Sequence, residues 1–156
     1  MELTFDQRGN LFPYKNSKLD VDAFRFLFVE KFSENEHRKK IFENYLKFVD
    51  DFSKKISSNF IQWIDGSFVS SKDYPNDIDF VTFISNEVFQ ANEQLIQENF
   101  RLYGAKQKYE VDAYTIRQYP KDHKRYTSLI AYIGLTYLPR QKRIGRRKSI
   151  QKALLR

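Results

Sequence analysis

Three aspartates are the residues of this sequence best suited to chemistry. Asp77 and Asp79 stand one residue apart in "PNDIDFVTFI", at the mouth of a strongly apolar run, and Asp112 lies in "YEVDAYT" between Val111 and Ala113. Aspartate is a poor strand former, so its presence there needs a reason. Along a strand, side chains alternate between faces with period two. Asp77 and Asp79 would then share one face, with Ile78 and Phe80 on the other. Neighbouring carboxylates raise each other's pKa unless a cation lies between them, and hard oxygen donors suit Mg²⁺ or Mn²⁺. If the strand of Asp112 lies beside that of Asp79, three carboxylates converge on one point, as two-metal phosphoryl transfer requires. Asp112 would also serve as general base for an incoming hydroxyl. By the same alternation, Glu110 and Tyr114 would share its face.

Gly66-Ser67 would supply the other half of such a site. Glycine lets the backbone approach a phosphate closely, and serine offers a hydroxyl and a backbone N–H. A short helix starting after Ser67 would add a favourable dipole, and Lys72, in the loop that follows, is the cation placed to reach a triphosphate. Each signal has a plain structural explanation by itself. A Gly-Ser pair is most often a turn, and "PND" is good turn chemistry that accounts for Asp77. Asp79 has no such account, because a carboxylate inside a strand needs a partner if buried. The conjunction of glycine turn, spacing and third acid carries the reading.

The elements that must position these residues follow from periodicity. Asp20 is an N-cap candidate for a helix over "VDAFRFLFVEKF", with Val21, Phe24, Leu27 and Phe28 at helical spacing. Ser33 and Glu36 match a capping box, before an amphipathic helix whose stripe is Ile41, Tyr45, Phe48, Phe52 and Ile56. Strands are predicted over Asn59 to Ile64, Asp77 to Ile84 and Lys108 to Ile116, with one helix from Asn86 to about Phe100. Another helix is expected over "HKRYTSLIAYIGL", and the tail "RIGRRKSIQKALLR" reads as a strand or a basic helix end. This order predicts one α+β (α/β) domain over residues 1–156, a small mixed sheet flanked by helices. Its parts are N-terminal helices 20–57, a core motif 60–116 and a basic C-terminal segment 121–156.

At these residues the sequence resembles the nucleotidyltransferase superfamily of the DNA polymerase β type. The shared pattern is an apolar residue, Ile64, then Gly66-Ser67, a nine-residue spacer, Asp77-Ile78-Asp79, and a later acid, Asp112. In its compact length the chain is similar to the bacterial and archaeal minimal nucleotidyltransferases, some of which act as antitoxins. "NDIDFV" and the N-terminal "FDQRGNLFP" are similar to a small bacterial branch of that group. The resemblance implies metal-dependent transfer of a nucleoside monophosphate from an NTP to a hydroxyl. The acceptor would be a protein side chain, an RNA 3′ end or a small molecule, and a partner toxin is one such protein. It implies Asp77, Asp79 and Asp112 as metal-holding catalytic residues, and Gly66, Ser67 and Lys72 as nucleotide-binding ones. Two departures stand out: Lys72 is the only cation of the spacer, and an acid, Asp65, precedes the glycine. The competing expectation is a non-catalytic module of the same fold that neutralises a partner protein or binds nucleic acid.

Composition bounds the rest. Hydrophobic residues make up 41% and aromatics 17% of the 156 residues, ample for a core and contrary to disorder. The absence of cysteine excludes disulfides, thiolate metal sites and cysteine nucleophiles. No basic segment followed by an apolar run opens the chain, and no apolar stretch reaches the ~20 residues that span a bilayer. A soluble, cytoplasmic protein without a membrane partner is expected. The net charge of +7 is concentrated in "KDHKR" and "RQKRIGRRK", a solvated surface or a contact for a phosphate-rich partner. His37 and His123, the only histidines, are expected at the surface.

Overall fold

The computed structural model describes residues 4–12, 17–32, 35–126 and 153–155. Short strands β1 (Thr4–Phe5) and β2 (Leu11–Phe12) form an antiparallel hairpin, and β3 (Ser17–Leu19) follows. The hairpin turn contains Gly9 at φ +78°, a conformation that favours glycine, and a Cβ there would lie 2.2 Å from Ser71 Oγ. Residues 5–12, "FDQRGNLF", are thus a structural latch: the Gly9 carbonyl accepts from the Ser71 amide at 2.8 Å, and Asn10 bridges to Ser70.

Asp20 caps α1 (Val21–Phe28) as expected, accepting from the Ala23 amide at 2.7 Å. The helix stops four residues short of Phe32, with a 3₁₀ turn at Glu30–Phe32. For α2 (Glu36–Lys55) the expected capping box is corrected. Asn35 is the N-cap, its side chain accepting from the Arg38 amide at 3.1 Å, while Ser33 lies outside the described residues. The predicted stripe of α2 is buried at Ile41, Tyr45, Phe48 and Phe52.

Then come β4 (Ile61–Asp65), a 3₁₀ turn at Ser67–Val69, and β5 (Asp79–Ser85). Asp79 opens β5, so Asp77 lies in the preceding loop, not in the strand. The single helix expected after it is two, α3 (Asn86–Ala91) and α4 (Glu93–Asn99). Asn92 breaks them, its side-chain Nδ2 donating to the Val88 carbonyl at 2.9 Å.

The larger correction concerns the third strand. Residues up to Tyr109 form α5 (Leu102–Tyr109), which buries Ala105 and Tyr109 one turn apart, and the strand is β6 (Asp112–Gln118). Glu110 ends α5 in the left-handed region at φ 58° and pairs with Asn44 Nδ2 at 2.9 Å. It therefore does not share the face of Asp112. The last described strand is β7 (Ala153–Leu155); of the helix expected over 123–135 only residues 123–126 are described, as a turn leading into Tyr126, and residues 127–135 and most of the basic tail lie outside the described residues.

The main sheet is mixed, in the order β3-β7-β4-β5-β6, and the class is α+β. β4 and β5 are antiparallel; β5 and β6 are parallel, joined by the α3–α5 crossover. Register partners share a face, so the three strands read as rows. On one face Ile64, Phe80 and Ala113 line up and join the core with Phe24, Phe48, Phe52 and Phe100. Below them lies a buried polar row of Gln62, Thr82 and Thr115. It is closed by hydrogen bonds: Tyr45 Oη donates to Gln62 Oε1 at 2.6 Å, Gln62 Nε2 to Thr82 Oγ1 at 2.9 Å, and Thr115 Oγ1 to the Phe100 carbonyl at 2.7 Å. Burial raises the Tyr45 phenol pKa, which keeps it a donor. Tyr45→Phe leaves Gln62 Oε1 without this donor and is expected to cost ~1–3 kcal/mol, read by urea denaturation. No loss would mean the row is satisfied another way.

Candidate functional site

The opposite face of the sheet carries the acids. Asp65 is the register partner of Asp79 across the β4–β5 ladder, and Asp112 is its partner across β5–β6. One row of three aspartates therefore crosses three adjacent strands at one end of the sheet. Behind it on the same face run Trp63, Val81 and Tyr114, then Ile61, Phe83 and Ile116, which form the second, smaller apolar cluster. That cluster holds the ends of the strands in place, so the acid row is mounted on rigid elements.

The alignment follows from the chain. The antiparallel register of β4 and β5 is set by the loop of residues 66–78 and by alternating apolar residues on both strands, which a one-residue slip would turn inside out. The parallel register of β6 is fixed at its start, where the Asp112 amide donates to the Ile78 carbonyl at 3.1 Å.

Electrostatics mark Asp79 as the centre. Burial pushes its carboxyl pKa up to about 7, and Asp77, Asp112 and Asp65 push it in the same direction; Lys106 opposes them. Three acids and one lysine thus act on this one carboxylate. Lys106 comes from α5 and its ammonium pairs with Asp77 Oδ2. Neither Asp65 nor Lys106 was picked as a site residue by sequence reasoning. The antiparallel pairing of Asp65 with Asp79 depends on hairpin register, and Lys106 lies on a helix that strand-like composition at its end obscures.

Gly66 lies against this centre. Its φ is +82°, and a Cβ built on it would fall 2.0 Å from Asp79 Oδ2. Glycine is required twice over, by backbone conformation and by the closeness of a carboxylate. Ser67 opens the 3₁₀ turn that follows, its carbonyl accepting from Ser70 Oγ at 2.7 Å.

Lys72 lies in the exposed loop, and among the described residues its ammonium makes no ion pair. Its backbone is held firmly, because its carbonyl accepts from the Arg38 guanidinium. Arg38 is fully buried and also donates to the carbonyls of Phe28 (2.8 Å), Phe68 (2.9 Å) and Ser70 (2.9 Å). Asn35 donates to the Asp73 carbonyl at 2.6 Å, and the His37 ring binds the Pro75 carbonyl while remaining exposed, as expected. The first turn of α2 therefore fastens residues 68–75, most of the connection between Gly66-Ser67 and Asp77. Arg38 had a signal in the sequence: it falls on the apolar stripe of Ile41, Tyr45 and Phe48.

The basic "KDHKR" lies elsewhere. It follows the far end of β6, and six residues of strand put it ~20 Å from the acid row.

The donor set at the row is all oxygen, which suits Mg²⁺ or Mn²⁺. Burial first and the neighbouring carboxylates second raise the Asp79 pKa, and a divalent cation would offset both by favouring the charged form. The donor chemistry fits such an ion. Among the described residues, however, no three acidic or histidine side chains stand in a ready-made metal cage. Asp77 is instead drawn to Lys106. Also among the described residues, no helix is long and apolar enough to cross a membrane.

The family of unknown function DUF6932 matches residues 3–149, and the chain belongs to that family. No curated protein and no solved structure matches the chain.

Proposed function

We propose that this DUF6932 chain is a divalent-metal-dependent nucleotidyltransferase, moving a nucleoside monophosphate from an NTP to a hydroxyl acceptor. The observation that carries the reading is the acid row Asp65–Asp79–Asp112 with Gly66 pressed against its central carboxylate. Half-buried like charges in one row repel one another, and a purely structural sheet end gains nothing from gathering them.

Asp77 and Asp79 would hold the metal, with Asp112 sharing it and taking the proton of the attacking hydroxyl. Bound Mg²⁺ or Mn²⁺ would neutralise charge developing on the phosphates. The acceptor oxygen forms a bond to the α-phosphorus, the bond to the bridging oxygen breaks, and pyrophosphate leaves. Gly66 lets the phosphates approach the backbone, and Ser67 offers its hydroxyl there. Lys72, on the loop anchored by Arg38, is the cation nearest in sequence for the triphosphate. The acceptor classes remain a protein side chain, such as that of a partner toxin, an RNA 3′ end or a small molecule.

The test uses labelled NTPs with Mg²⁺ or Mn²⁺ and these acceptors. Wild-type protein is expected to bind nucleotide with metal and to transfer label, and Asp77→Ala combined with Asp79→Ala is expected to abolish both. Equal binding of metal and nucleotide by the double variant would overturn the site assignment. A bound nucleotide without transfer to any acceptor class would favour the binding-module reading.

A further inference from the structure

Lys106 pairs with Asp77 and opposes the rise of the Asp79 pKa. It reaches the row from α5, in the crossover between β5 and β6, and pairs with Asp77, whose side chain is 21% exposed. Lys108, two residues on, points to different partners: it pairs with Asp51 at 3.4 Å and lies over the rings of Phe100 and Tyr109. The same helix thus carries two lysines of equal charge with separate duties. Resting on the function proposed above, we infer that Lys106 is an internal counter-ion which occupies Asp77 in the metal-free protein and must be displaced before a divalent cation can use that carboxylate.

The physical argument is competition for one carboxylate. Four acids gathered at a sheet end need positive charge. An ammonium supplies one unit and three donors, and a divalent cation supplies two units and coordinates the same oxygens. An ammonium and a divalent cation drawn to the same Asp77 oxygen repel each other at short range, so each weakens the other. The pair is half exposed at Lys106, which is 52% accessible, so the ammonium can swing away without unfolding α5. Metal binding alone is therefore weakened by the lysine. The device suits an enzyme whose metal should arrive with its substrate, because the phosphates of an NTP offer the displaced ammonium a new partner.

The experiment titrates Mn²⁺ alone into the full chain, by calorimetry or by the paramagnetic signal of free Mn²⁺. The proteins compared are wild type, Lys106→Met, Lys106→Arg and Lys108→Met. Lys106→Met is expected to bind Mn²⁺ about tenfold more tightly, from the lost ion pair and the removed cation–cation repulsion. Lys106→Arg is expected to stay near wild type, and Lys108→Met, which makes the same change in net charge, to stay within about twofold of it. Unchanged or weaker Mn²⁺ binding by Lys106→Met overturns the inference. So does equal tightening in Lys108→Met, which would reduce the effect to overall charge. Wild-type protein and all variants failing to bind Mn²⁺ would overturn the metal site itself. Thermal unfolding of each variant confirms that it is folded.

Discussion

Asp79→Asn is expected to stabilise the metal-free protein at pH 8 by up to ~4 kcal/mol while abolishing nucleotide transfer. The sign follows from linkage. Asp79 has a folded pKa of about 7 against an ordinary value of 3.8, so the native state holds this proton more tightly than the unfolded chain does. Its contribution to stability is full below about pH 4. It is lost progressively as the pH rises towards 7, at ~1.4 kcal/mol per unit. Asparagine keeps the shape of the protonated acid and never ionises. The gap between variant and wild type should therefore be near zero at pH 4 and greatest at pH 8. Chemical denaturation in EDTA at the two pH values reads it directly. Added Mg²⁺ should then stabilise wild type and leave Asp79→Asn unmoved. A variant no more stable than wild type at pH 8 would show that the acid row is not under electrostatic strain. The proposed function would then lose its physical basis, since a site that needs no cation gives no reason to gather carboxylates.

Arg38→Met is expected to destabilise the fold by ~3–5 kcal/mol, because buried carbonyls that lose their donor cost ~1–3 kcal/mol each. The volume is nearly kept, so the loss comes from the carbonyls of Phe28, Phe68, Ser70 and Lys72, which no longer have this donor. Stacking is lost too, because the guanidinium lies 3.7 Å from the centre of the Phe32 ring. Burial pulls the Arg38 pKa down to about 10, with Asp73 opposing, and the group stays charged at neutral pH. Typical domains have about 5–15 kcal/mol in total, so the variant would be marginal at 37 °C. A structural measurement separates this from a simple cavity effect. Amide exchange in residues 68–75 should accelerate more than exchange in β4 and β5, because Arg38 fastens that loop in particular. Uniform acceleration across the sheet, or a loss under about 1 kcal/mol, would show that the loop holds its shape without the arginine. Arg38→Lys should recover little of the lost stability, since one ammonium cannot address four carbonyls as a planar fork does.

Several features were legible along the chain. Period two placed Asp79 and Asp112 in strands, and the neighbouring apolar residues placed those strands in a sheet. The amphipathic stripe of α2 and the Asp20 cap were readable because helix signals are local, three or four residues apart. Gly66 was readable as a special backbone position. Its reason was not: the sequence suggested approach to a phosphate, and the structure adds the Asp79 carboxylate on the side where a Cβ would stand.

What tertiary structure alone decided are the neighbours across strands and between elements. Asp65 joined the row because the β4–β5 register sets it opposite Asp79. Glu110 left it because α5 runs to Tyr109 and ends in a left-handed turn. Asp77 came to the site from a loop, held by an ion pair to a helix much later in the chain. The physical reason is common to all three. Periodicity tells which way a side chain points within its own element. Register, crossover path and loop anchoring tell what it faces, and these are set by the packing of the whole sheet against Phe24, Phe48, Phe52 and Phe100. Residue spacing alone pointed to carboxylates gathering beside a glycine turn; strand register makes the row Asp65, Asp79 and Asp112, with Asp77 and Lys106 at its side.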